Sequence, residues 1–170
     1  MADTLAAEVK VACSWILREA LDLSTVVDSA RLEYSRTLAD GTGTDQASTV
    51  WHDQRTVVAG GNDDLDLAGG LANTIFGTPV VAAFSKVKAI VIVNTNTSSG
   101  NLLRVGGGPN PFTPPFVGGA AAQVEIGADS ALLLANKKDG WNVTAGTGDI
   151  LRIHNPSGVS ITYKIAILGH

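Results

Sequence analysis

Between residues 4 and 18 every odd position is apolar: Leu5, Ala7, Val9, Val11, Cys13, Trp15 and Leu17, with Glu8, Lys10, Ser14 and Arg18 among the even ones. A period of two predicts an extended strand with one apolar face. Leu5, Val9, Ala12 and Ile16 also share a helical face, so a helix starting after Asp3 or Thr4 stands as the alternative. Residues 31–38 and 49–58 predict further strands around ADGTGTDQA, whose glycines and aspartates interrupt any regular element. AGGNDDLDLAGGL then reads as a loop.

The β pattern strengthens from Lys86 onward. VKAIVIV carries β-branched residues on both faces, as a strand covered on both sides does. Strands are also predicted at 102–105, 123–126 and 131–135, while GGGPNPFTPPFVGGA holds four of the six prolines and reads as a surface loop. Near the end, 150–154 is short and β-branched. Asn155, Pro156, Ser157 and Gly158 supply turn residues, and Val159, Ile161, Tyr163, Ile165 and Ile167 then alternate with polar or small positions. The expected arrangement is a hairpin. In all, about eight to ten strands at intervals of roughly ten residues predict an all-β chain, a β-sandwich or jelly-roll-like barrel with an extended N-terminal segment. Residues 1–30 are assigned to an N-terminal arm or first strand, and 31–170 to a single β-sandwich domain.

Composition narrows the choice of function. Lysine and arginine number 12 against 16 acids, for a net charge of −4, and the basic residues are scattered. A nucleic-acid groove needs them clustered, so no nucleic-acid partner is expected. No run of about twenty apolar residues occurs and the N-terminus lacks a signal-peptide pattern, so no membrane partner is expected either. Cys13 is the sole cysteine, which rules out a disulfide within the chain. Charged residues make up only 16%, below the roughly 25% of an average soluble domain, and leave surface for protein contacts.

Candidate chemistry is sparse. TAGTGD at 144–149 resembles a phosphate-cradling loop, but a strand follows it rather than a helix, no Walker lysine is present, and Asp149 would repel the anion. It is expected to be a turn. His52 and Asp53 are neighbours in sequence, yet adjacent strand residues face opposite ways, so they cannot act as base and orienter. His154 shares a face with Arg152, and His170 is the last residue. Asp63, Asp64 and Asp66 offer carboxylates for calcium without the spacing of an EF-hand, and a solvated turn is the expected reading. Trp141 follows Asp139 and Gly140 in a predicted turn where it would be partly exposed and able to stack on sugar, whereas Trp15 and Trp51 are expected in the core. No catalytic, cofactor-binding or metal-binding residue is assigned, and no enzymatic activity is expected.

The segments VWHDQRTVVAGGNDDLDLAGGL, KVKAIVIVNTNTSSGNLLRVGGG and DGWNVTAGTGDILRIHNPSGVSITYKIAILG resemble small all-β virion structural proteins of tailed bacteriophages. The resemblance implies a capsid decoration, or cement, protein: a small β-rich homotrimer, made in the host bacterial cytoplasm, that sits on the capsid surface across major capsid subunits. A tail, head-tail adaptor or fibre subunit, or a carbohydrate-binding β-sandwich module, is the alternative. In the decoration reading the apolar row from Leu5 to Leu17 would anchor the protein by strand addition.

Overall fold

The computed structural model describes residues 4–75 and 78–170, the side chains of 73–80 excepted. In chain order the strands are β1 (Ala7–Ala20), β2 (Thr25–Leu38), β3 (Thr49–Val57), β4 (Asn62–Asp66), β5 (Leu71–Ile75), β6 (Thr78–Ala82), β7 (Lys86–Asn94), β8 (Leu103–Gly106), β9 (Gln123–Ile126), β10 (Ser130–Ala135), β11 (Trp141–Asn142), β12 (Ile150–His154) and β13 (Ile161–Gly169). The sole helical element among the described residues is a 3-10 turn at Gly119–Ala121. The all-β sandwich expected from the alternation is the observed fold class.

Two antiparallel sheets form the body. The larger runs β10-β7-β13-β3, with β11 also pairing to β7, and the smaller runs β4-β12-β8-β9. Alternation decides what each sheet presents inward. Ile161, Tyr163, Ile165 and Ile167 of β13 are buried beside Trp51, Val57, Ile90 and Ile92, and they meet Leu65, Leu103, Val105, Ile126, Leu151 and Ile153 from the smaller sheet. A fully buried aliphatic side chain of this kind contributes about 1.5–3 kcal/mol. The proline-rich segment is no mere surface loop, because Phe112 and Phe116 turn inward and join this core. Proline excludes regular structure without dictating where the aromatics between prolines go.

The closing strands depart from the expected hairpin. β12 pairs with β4 and β8, whereas β13 pairs with β3 and β7, so the turn between them carries the chain from one sheet to the other. Alternation reveals strands but not their partners. Buried Asn155 fixes this crossing: its amide donates to the carbonyls of Val57 (3.0 Å), Val58 (3.1 Å) and Val159 (2.7 Å), and its Oδ1 accepts the Ser157 N–H at 2.9 Å. Asn94, at the C-terminal end of β7 on the same end of the sandwich, plays a matching part, donating to the Asn101 and Gly127 carbonyls at 3.0 Å each.

The acidic stretch read as a loop forms β4 instead, an edge strand held along its length by β12. β7 is only partly covered on its outer side, with Ala89 buried and Val91 37% exposed. At its far end the ladder shifts register between Leu168 and Gly169, where a Cβ on Gly169 would collide with the Lys86 carbonyl oxygen. Only glycine allows that close backbone approach.

Candidate functional site

β1 and β2 form a two-stranded ribbon in unbroken antiparallel register from Ala7↔Leu38 to Ala20↔Thr25. The strand reading of the N-terminal segment therefore holds over the helical one, and the arm extends to Leu38, so a division at residue 30 falls inside β2. Directly paired residues share a face. One face therefore gathers Val11, Cys13, Trp15 and Leu17 with Val26, Ala30, Leu32 and Tyr34, interrupted by Glu19, Asp28 and Arg36, and the other gathers Lys10, Ser14 and Arg18 with Arg31, Glu33 and Ser35, interrupted by Ile16 and Val27. The ribbon is amphipathic.

Only its base touches the body. Val9 and Leu38 are buried against Ala47 and Ala89, with Leu5, Ala7, Leu133 and Leu168 packed around them. Beyond that cluster every residue from Lys10 to Tyr34 is exposed, on both faces. Leu17 and Leu32 are 67% and 68% exposed, and Trp15, expected in the core, is 44% exposed. The reason is physical: alternation shows that a face is apolar, and burial depends on whether another element covers it. The polar face satisfies itself through Lys10–Glu33 (2.5 Å) and Arg31–Glu33 (2.6 Å). On the apolar face the Trp15 indole N–H donates to Asp28 across the strands at 3.1 Å. An isolated two-stranded ribbon is marginal in water, so an apolar face of this length is material for an interface.

The acids singled out in the sequence do not converge. Asp63 points into the sandwich edge, where the Arg55 guanidinium grips it at 2.6 and 2.9 Å and the Tyr163 hydroxyl donates to it at 2.8 Å. These contacts tie β4 of one sheet to β3 and β13 of the other. Burial, reinforced by the Asp63 charge, raises the Tyr163 phenol far above its ordinary range and keeps it protonated. Asp64 faces outward to Arg152 at 2.6 and 2.7 Å, and that hydrogen-bonded pairing lowers its carboxyl below the ordinary 3.8. Asp66 accepts the Ala68 N–H at 2.9 Å. Among the described residues no group of three or more acidic, histidine or cysteine side chains is placed to hold a metal.

The other candidates are also placed by their strands. His52 is exposed on the outer face of β3, while Asp53 faces the other way and meets Arg55 at 3.2 Å. His154 Nδ1 lies 2.9 Å from Asn62 Oδ1. His170 packs beside Ser85, and burial lowers its imidazole from the ordinary value. Trp51 is buried and Trp141 is half-buried against the core, so Trp15 is the indole displayed to solvent. TAGTGD closes on itself: Thr144 receives the N–H of Thr147 and Gly148, and Asp149 accepts the Gly146 N–H at 2.5 Å. A donor that a phosphate would need is already used. Lys88, buried on β7, donates to the Lys138 carbonyl at 2.9 Å, and burial lowers its ammonium from the usual lysine value.

No family model matches the chain, and no curated protein matches it. Among solved structures it is similar to the Yersinia pseudotuberculosis-derived mitogen, with 16% identity over 72% of this chain and 86% of that one. The TM-score of 0.33 carries no argument about function.

Proposed function

We propose that this protein is a virion structural subunit of a tailed bacteriophage, acting as a capsid decoration protein that binds across major capsid subunits and stabilises the head. The observation that carries the reading is the ribbon, an apolar surface held away from a well-packed sandwich and left uncovered by the described residues, as befits a subunit that works within an assembly. The resemblance of the strand and turn segments to phage virion proteins supplies the setting. A cement subunit performs no chemistry; it favours the assembled lattice by binding that state and not the dissociated one. In this reading the partner is the major capsid protein, with no role for nucleic acid or membrane, and the protein resides on the capsid surface.

A tail, adaptor or fibre subunit would use the same sandwich and ribbon, and copy number separates the two. Quantitative gel analysis and electron microscopy of purified particles should find many copies distributed over the head. Particles lacking the protein should release DNA at a lower temperature. A few copies confined to the tail or one vertex would reject decoration in favour of the tail or adaptor role.

A further inference from the structure

The base of the ribbon already shows what its apolar face packs against. Val9 and Leu38 lie on the outer face of the larger sheet, against Ala89, with Leu133 and Leu168 beside them. That sheet face continues past the ribbon. By strand register the next positions are Val91 and Ala166 beside Leu133, then Val93 beside Ala131. Val91 and Ala131 are exposed. Val93, Leu133 and Ala166 are half-buried, and Lys164, Gln54 and His52 share their rows, so the sheet offers a small apolar patch with a polar border. A buried contact joins one end of the ribbon's apolar face to the edge of this patch.

We propose that the free apolar face of the ribbon packs on the outer face of the larger sheet of a second copy of this chain, beside the place where that copy's own ribbon base is seated. Size favours a copy over a foreign partner. The free part of the ribbon is about ten residues per strand, roughly 34 Å long and roughly 10 Å wide, or about 340 Å². A copy that gives one ribbon and receives another covers about 700 Å², close to the ~800 Å² per partner of stable interfaces. A foreign protein seated on the ribbon alone would cover half of that. Charge agrees. Lys10, Arg18, Arg31 and Arg36 nearly balance Glu8, Glu19, Asp22, Asp28 and Glu33, so nothing draws the ribbon to nucleic acid or an anionic membrane. Glu19 and Asp28 lie on its apolar face, and the receiving face presents exposed Lys164. Exchanged between two copies, the two contacts belong to a single two-fold interface, and it is this reciprocal pair that reaches the area above.

This inference concerns the isolated protein and stands or falls separately from the virion reading, which particle copy number decides. Light scattering after size exclusion should give the full chain a mass that is a small multiple of one chain at micromolar concentration. Leu32→Lys on the ribbon and Val91→Lys on the sheet should each weaken association by about tenfold or more. Both positions are exposed, so far-UV circular dichroism and the urea midpoint of the sandwich should not change. Mixing the two variants should restore a mixed pair, because the ribbon of the Val91→Lys chain still meets an intact sheet on the Leu32→Lys chain. In the unmodified protein Cys13, on the ribbon's apolar face, should react more slowly with a water-soluble aromatic disulfide as protein concentration rises. A monomer at every concentration overturns the proposal, as does an oligomer that survives both substitutions. Loss of association in Leu32→Lys but not in Val91→Lys removes the sheet as the receiving surface and overturns it as well.

Discussion

Polar side chains at the edge of the body join its two sheets. Asp63 is held by Arg55 and Tyr163 across the two sheets; Tyr163 is fully buried, Asp63 nearly so, and Arg55 is the more exposed partner. Asp63→Ala strands a guanidinium and a phenol at the sandwich edge and should cost about 3 kcal/mol. Tyr163→Phe removes one hydrogen bond from a carboxylate that keeps Arg55 and should cost about 1–2 kcal/mol. Urea unfolding monitored by Trp51 fluorescence ranks the two, and equal losses would show that the clasp is not organised around Asp63. Asp64 gives a pH signature. Its folded carboxyl lies below 3.8 because of Arg152, so the stability it adds is complete above the ordinary carboxylate value and disappears as pH falls through the lower folded value. The urea midpoint of the native protein should therefore drop more between about pH 4 and pH 2 than that of Asp64→Asn. The contribution is modest because the pair is partly exposed.

At the scale of elements, what the sequence made legible was period, and what it hid was pairing. The alternation at 161–167 marked β13 and its buried row, and the odd row from Leu5 to Leu17 marked β1 and its apolar face. Neither pattern contains information about the strand opposite, so the crossing pinned by Asn155 read as a hairpin. β4 was missed for a related reason: its aspartates resemble turn residues until Arg55 and Arg152 neutralise them from two sides. The ribbon was the hardest to place, because an apolar face in sequence looks the same whether it meets a core or water. Its independence from the body can be measured. Replacing residues 12–33 with Asn-Gly, so that Val11 and Tyr34 flank a two-residue turn, keeps the buried base of Val9 and Leu38. The unfolding free energy of the sandwich from urea titration should stay within about 0.5 kcal/mol of the native value, as for surface changes generally. A larger loss would mean that the ribbon supports the body as well as projecting from it.

The whole molecule combines a body built from distant pairings with an arm built from local ones. β13 lies between β7 and β3 in the larger sheet, and it follows in sequence every strand it joins. During synthesis, therefore, the central seam of that sheet cannot close until the last strand has left the ribosome. The ribbon, whose two strands are separated only by residues 21–24, is free to form long before. For that interval the nascent chain holds both strands of the arm, with their apolar face, but not the body that buries the arm's base. On polysomes, where neighbouring chains of the same message are crowded together, the arm of one chain precedes the sheet of the next. If the ribbon seats on a second copy as proposed above, the order of translation sets when two chains can first meet, with the body of each chain as the late and limiting part.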